Sequence, residues 1–293
     1  VNAFIFMAAF LFVFFAARIL FGSPTAKLAS VIFAFFPSLF LWSAMICIDI
    51  TIIACVTAFI FFMVKFIRSR IGIAYLALML ISILGGRSIR PYIAQILTVL
   101  TALAVLCRIA LSLKLKFTAK HAAIILLAAF LVGMAPGVRQ FLRSKIDKVT
   151  HQMIVSQAGF AVTDDSSYAI YPERCYEAKA CAPAEFAVGY ARGMGYALFS
   201  PFPWRIDSRL QLMALPQVIM WYIMLPFALY GLYLGYKRDK ASTALIFIYC
   251  FSALSVLALA SGNVGAVFRH RDMVTPFVLI FASAGIIKLR EIR

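Results

Sequence analysis

The sequence predicts an all-α polytopic membrane protein with about nine transmembrane helices and one long extracytoplasmic segment. Composition is the first reason: hydrophobic residues make up 64% of the 293-residue chain and charged residues only 13%, with a mean hydropathy of +0.97. Soluble domains average roughly 45–50% apolar and about 25% charged. The second reason is that apolar runs recur at close to the ~20 residues a helix needs to cross the hydrocarbon. The third is that Lys and Arg collect in alternate loops. A formal charge of +17 in a soluble chain would suggest nucleic acid. Here cytoplasmic loops rich in Lys and Arg account for it, and no nucleic-acid partner is expected.

Taken in order, the spans fall at 1–21, 28–46, 50–67, 71–86, 91–113, 121–136, 215–236, 241–261 and 273–288. Pro37 is expected to kink or interrupt the second of them. The chain thereby divides into an amino-terminal bundle of six spans (1–136), an extracytoplasmic segment with an interfacial helix (137–214) and a carboxy-terminal bundle of three spans (215–293). One side carries fifteen positive residues: Arg18, Lys27, Lys65, Arg68, Arg70, Arg108, Lys114, Lys116, Lys120, Lys237, Arg238, Lys240, Lys288, Arg290 and Arg293. The short loops of the other side hold Arg87, Arg90, Arg269 and Arg271, with no lysine. The rich side reads as cytoplasm, which places the carboxy terminus inside and segment 137–214 outside. Val1 then lies outside. It opens an apolar run without the charged n-region or cleavage site of a signal peptide, so at least one earlier span is expected to precede it.

Segment 137–214 holds most of the acids: Asp147, Asp164, Asp165, Glu173, Glu177, Glu185 and Asp207. Cys175 and Cys181 lie there as CYEAKAC. An oxidising exterior permits a disulfide between them, and a pair of free thiols is the alternative. Cys47, Cys55, Cys107 and Cys250 lie in or beside spans and read as small apolar fillers. His121, His151 and His270 show no metal-ligand spacing, so no metal-binding residue is assigned. In LFSPFPWRIDSRLQL (198–212), Phe199, Phe202 and Trp204 beside Arg205, Asp207 and Arg209 suit a helix or elbow lying in the interface. The following span is expected to open near Pro216, and Trp221 and Tyr222 read as part of the same aromatic belt.

The candidate chemistry lies where charge breaks the bias. The outward arginines come in two pairs, Arg87 and Arg90 in GGRSIRPY and Arg269 and Arg271 in VFRHRD. Guanidinium forks match phosphate oxygens. The neighbouring Gly85, Gly86, Gly262 and Gly265 are expected to let backbone approach a ligand closely. An arginine at a helix end also snorkels to headgroups with no further role. His270, between the second pair, could donate a proton or hydrogen bond, or serve structurally. Asp49 in WSAMICIDI is the only acid before Asp147. Carboxylates at the edge of a membrane are costly and often functional. The plain alternative is an interfacial residue that ends a helix.

These residues carry a resemblance. VNAFIFMAAFLFVFFAARILFG followed by AKLASVIFAFFPSLFLWSAMICID resembles the early core of bacterial GT-C type polytopic glycosyltransferases, of the protein-mannosyltransferase-like and aminoarabinose-transferase-like group. The matching positions are Asn2, Phe21–Gly22, Pro37–Ser38, Ser43 and Asp49. GYALFSPFPW, WYIMLPFALYGLY and FRHRDMVTPFVLIFASAGI resemble the second half of bacterial members. The likeness implies a GT-C-like bundle in a bacterial inner membrane. The implied reaction transfers a sugar from a polyprenyl-phosphate donor to a glycan, lipid or protein acceptor on the outer face, in cell-envelope assembly, among membrane lipids. It matches Asp49 to a secondary acid and places the principal acid ahead of Val1. A divalent metal is open in this family, and no other cofactor is implied. Cations must stabilise the departing lipid phosphate, which falls to Arg87, Arg90, Arg269 and Arg271, with His270 beside them. Only three spans follow the outer segment, fewer than in many members. Competing readings are a lipid-linked oligosaccharide polymerase or ligase, a lipid-linked glycan transporter and a non-catalytic complex subunit. The transporter needs charge along a path through the bundle, and midspan charges are nearly absent.

Overall fold

The computed structural model describes residues 1–45, 48–69, 71–113, 136–161, 167–206 and 209–292. Among these the chain is helical, and one isolated β-bridge, Ser167 to Asn263, is the sole extended pairing. The sixth expected span, all but its last residue, lies outside the described residues. So do Cys47, Arg70, Lys114, Lys116, Lys120, His121, Asp164, Asp165, Asp207 and Arg293.

Local sequence explains the boundaries. Helix α1 (Asn2–Phe21) has no charge before Arg18 and ends at Gly22, whose φ of +100° suits glycine. Helix α2 (Ser23–Phe35) follows at once, with Pro24 in its first turn. The residue before a proline avoids the helical region. Phe36 is accordingly extended, and α3 (Pro37–Ala44) departs from α2 at 60°. Helices α4 (Asp49–Arg68), α5 (Gly72–Arg87) and α6 (Pro91–Ser112) complete the amino-terminal bundle. The outer segment contains α7 (Pro136–Ala161), α8 (Glu173–Ala178) and α9 (Pro183–Phe199). Helix α10 (Arg209–Arg238) begins ahead of the expected start and runs through both Pro216 and Pro226. A membrane helix tolerates proline where its neighbours hold it. Helix α11 (Lys240–Ala260) is capped by Asp239, whose side chain accepts from the Ser242 N–H at 3.1 Å. Helices α12 (Val264–Arg271) and α13 (Thr275–Ile292) meet at 59°.

Among the described residues, five helices are long and apolar enough to cross a membrane: α1, α4, α6, α10 from Gln211, and α11. The two bent pairs, α2 with α3 and α12 with α13, raise this to seven, and the apolar α5 is shorter at 16 residues. Small residues set the closest crossing. A Cβ on Gly231 of α10 would stand 1.8 Å from the Phe281 carbonyl oxygen of α13, and one on Gly285 would stand 2.3 Å from the Phe227 carbonyl oxygen. Membrane helices pack through such small-residue seams because lipid supplies no hydrophobic drive between them.

The charges gather at the two ends of this bundle, which the 20 residues of α4 separate by about 30 Å. At one end Arg68 donates to Asp239 Oδ2 at 2.6 and 2.9 Å and to the Ile19 carbonyl at 2.7 Å, while Arg238 reaches the Phe21 carbonyl at 3.0 Å. Burial alone would raise the Asp239 carboxyl, but bonds from Ser242 and Arg68 outweigh it and hold it below its ordinary 3.8. A depressed carboxyl stabilises fully above its unfolded value and loses that contribution as the pH falls through the folded one. Asp239→Asn is therefore expected to flatten the acid limb of thermal stability below about pH 4, read as Tm against pH in detergent, and to leave the neutral-to-alkaline limb parallel to wild type.

At the other end, Ile154 of α7, Tyr168, Ile170, Tyr171 and Cys175 pack with Ala197 of α9, Leu257 and Ala258 of α11 and Val267 of α12 into a second core. Gln157 donates to the Tyr168 carbonyl at 2.6 Å, and the Tyr168 N–H donates to the Gly262 carbonyl at 2.8 Å. These parts of α7, α8 and α9 and the stretch 167–171 are thus built onto the end of α11 and the start of α12.

Candidate functional site

Asp49 is the first residue of α4 and 1% exposed. It starts a helix, where the N-terminal dipole favours a carboxylate, in contrast to the alternative that it ends one. Arg90 Nη2 donates to its Oδ1 at 2.8 Å, and Arg269 Nε donates to its Oδ2. The early acid and one arginine from each outward pair therefore meet, from positions 41 and 220 residues apart in sequence. Arg90 is extended at the start of α6, fixed there by Pro91 at the first helical position. Arg269 sits in the last turn of α12, which Asn263 caps by accepting from the Ala266 N–H at 3.0 Å. The Arg269 side chain keeps 41% of its surface exposed, against 18% for Arg90 and 2% for Asp49. The triad carries two positive charges and one negative. Its partly open guanidinium is the group placed to meet an incoming anion.

The other arginine of each pair does something different. Arg87 ends α5 and is exposed, without contact to the triad. Arg271 is buried to 1% exposure. Its Nη1 donates to the Leu198 and Ser200 carbonyls, at 3.2 and 2.8 Å, where α9 ends, and its guanidinium lies over the Trp221 and Phe268 rings at 4.8 and 5.5 Å. Helix carbonyl ends attract cations, and aromatic faces hold a guanidinium plane. Trp221 is correspondingly buried, its Nε1 donating to the Leu198 carbonyl at 2.8 Å, and Tyr222 donates to the Phe199 carbonyl at 2.5 Å. The burial of Trp221 departs from the interfacial-belt reading, whereas Tyr222 stays half-exposed. Trp204, 78% exposed, stacks on Phe202 in the elbow between α9 and α10. His270 lines a cavity of about 10 Å³ with Tyr92, Arg271 and Met273, which is room for a single water.

Two residues at this end escaped the sequence reading. Asp272, fully buried at the break between α12 and α13, accepts from Trp42 Nε1 at 2.8 Å and from Thr275 Oγ1 at 3.3 Å. Trp42 of α3 also lies 5.6 Å beneath the Arg269 guanidinium. It ties the acid that follows α12 to the cation that meets Asp49. Both stand inside the quoted stretches WSAMICIDI and VFRHRD, but nothing local pairs positions 230 residues apart. Asn2, at the start of α1, donates to the Met45 carbonyl at 2.6 Å and holds the far end of α3.

Three of the four neighbouring glycines stand close to other protein atoms, and Gly86 has open space where a Cβ would be. A Cβ on Gly262 would meet the Gln157 carbonyl at 2.5 Å, one on Gly85 would meet Cys55 Sγ at 3.1 Å, and one on Gly265 would meet the Asn263 side chain at 3.2 Å. Cys175 and Cys181 form a disulfide that closes the loop after α8. Burial raises the phenols of this second core, Tyr168 and Tyr171, well above their ordinary range. The one His/Cys/Asp/Glu cluster among the described residues is this disulfide pair with Glu185, and sulfurs bonded to each other are not thiolate ligands. No protein-family model, curated protein or solved structure matches the chain.

Proposed function

We propose that the protein is a membrane glycosyltransferase that moves a sugar from a polyprenyl-phosphate donor to an acceptor on the extracytoplasmic face. The observation that supports it most is the Asp49 clasp. A buried carboxylate at one end of the bundle fixes two guanidiniums, and one of them, Arg269, remains partly open. Departure of a polyprenyl phosphate from the sugar develops negative charge on a phosphate oxygen. Preorganised cations at that position stabilise it without reorganising. Asp49 acts here as a positioning residue, because both its oxygens accept from arginines and neither is presented to an acceptor hydroxyl. Arg269 binds the phosphate, Arg90 completes the charge, and Trp42 holds the Arg269 guanidinium in place.

In this reading the chain is a GT-C-like bundle of nine spans in a bacterial plasma membrane. The short α5 and segment 121–136 supply the two spans beyond the seven. The Asp49 end faces outward and the Arg68–Asp239 end faces the cytoplasm, as the excess of Lys and Arg at that end favours.

The full-length protein in proteoliposomes, given a radiolabelled polyprenyl-phosphate monosaccharide and envelope-derived acceptors, is expected to release polyprenyl phosphate and label the acceptor. Arg269→Ala should slow this by about 10²–10³-fold, the scale of losing one transition-state charge partner. Consumption of a pyrophosphate-linked oligosaccharide in place of the monosaccharide donor moves the assignment to a polymerase or ligase. Wild-type turnover in Arg269→Ala removes the clasp from the active site.

A further inference from the structure

At the opposite end of the bundle, α1 and α4 leave an open groove of about 530 Å³ lined by Phe15, Arg18, Ile19, Phe61 and Lys65. Ligand sites commonly fall in the range of roughly 300–1,000 Å³. The groove is two-toned along its length. Arg18 and Lys65 lie one turn from the ends of their helices, α1 ending at Phe21 and α4 at Arg68. Below them Phe15 stacks against Phe61 at 6.1 Å, and Phe61 against Phe12 and Phe62 at 5.7 and 5.2 Å, so the floor toward the membrane interior is a run of aromatic rings.

The neighbouring Arg68 and Arg238 spend their charge on Asp239 and on backbone carbonyls. The side chains of Arg18 and Lys65 make no hydrogen bond or ion pair among the described residues. They stand over apolar wall at a bundle end, facing outward from the helix pair. Two unneutralised cations above an apolar slot match a molecule with an anionic head and hydrocarbon tails.

We infer that this groove binds an acidic glycerophospholipid, its headgroup phosphodiester held by Arg18 and Lys65 and an acyl chain lying along Phe15 and Phe61. Basic pockets between membrane helices take anionic headgroups by this combination of charge and apolar contact. The site is independent of the transferase reading: its Lys65 lies 16 residues from Asp49, about 24 Å along α4.

Native mass spectrometry of the purified protein tests it, with equimolar phosphatidylglycerol and phosphatidylcholine of identical acyl chains. Phosphatidylglycerol adducts are expected to be favoured by about fivefold per cation. The preference should fall stepwise in Arg18→Gln and Lys65→Gln and vanish in the double variant. Because both side chains are free of structural bonds, the double variant should keep wild-type helicity and Tm. The charge-conserving Arg18→Lys/Lys65→Arg variant should keep the preference and guards against a folding artefact. Lys288→Gln/Arg290→Gln, which removes two exposed cations in the last turns of α13, should leave the preference intact. Equal retention of the two lipids by the wild type overturns the site. So does a preference that survives in the Arg18→Gln/Lys65→Gln variant, or one lost equally in the α13 control.

Discussion

Replacing Asp49 with asparagine is expected to lower stability by about 3–5 kcal/mol, the cost of removing one partner from a buried charge pair, and to abolish sugar transfer. The loss comes mainly from what remains. Arg90 and Arg269 both point at the Asp49 carboxylate, and a neutral amide leaves two guanidiniums facing each other with no anion between them. Adding Arg269→Gln to Asp49→Asn should therefore recover part of the Tm, a positive coupling between residues that share one partner. It should recover no turnover, since the cation proposed to bind the phosphate is gone. Thermal unfolding in detergent and turnover in proteoliposomes, on the same preparations, separate the two effects. A stable, fully active Asp49→Asn protein returns Asp49 to the role of a simple helix-end residue.

Arg271→Ala should cost about 3–5 kcal/mol as well, but by a different route. The substitution removes the Arg271 donor from the Ser200 carbonyl, leaves the Leu198 carbonyl with its bond from Trp221 alone, and empties the space beside Trp221 and Phe268. Unsatisfied buried acceptors cost about 1–3 kcal/mol each, and a truncated buried side chain adds a cavity. Arg271→Lys should rescue only part, because an ammonium can donate to the carbonyls but has no plane to lie on the indole. Arg269→Ala, by contrast, removes a side chain that is 41% exposed and leaves Asp49 its bond from Arg90, so it should cost less stability than Arg271→Ala. The two arginines of one short motif thus separate cleanly: Tm reports Arg271, and turnover reports Arg269. Equal Tm losses in the two variants would contradict this division.

That division marks the limit of what the sequence allows. The scarcity of Lys and Arg on one side singled out four arginines and one acid, and three of the five meet at one point. Which arginine of each pair meets the acid depends on helix phase. Residues two apart on a helix point to nearly opposite faces, so once residues 264–271 are helical only one of Arg269 and Arg271 can turn toward α4. The polar stretch reads as an outward loop because it is short and glycine-bearing, although Asn263 is a legible cap. Pro37 announced the α2–α3 break through the constraint on Phe36. The partnership of Trp42 with Asp272 had no local signal, since tertiary packing alone brings α3 beside the α12–α13 break. The seam at Gly231 could have been found: GLYLG places Gly231 and Gly235 one turn apart within an apolar run, the spacing of close helix crossings.

The long sequence reach of the Asp49 clasp also orders events during synthesis. Arg90 is translated 41 residues after Asp49, while Arg269 follows 220 residues later. A nascent chain can seat α4 and α6 with one guanidinium on the carboxylate long before the second exists. The ribosome must add 220 residues beyond Asp49 before α12 can close over them. Products that stop short of residue 269 would insert as ordinary apolar hairpins carrying a half-filled clasp, inert by construction until the last helices arrive.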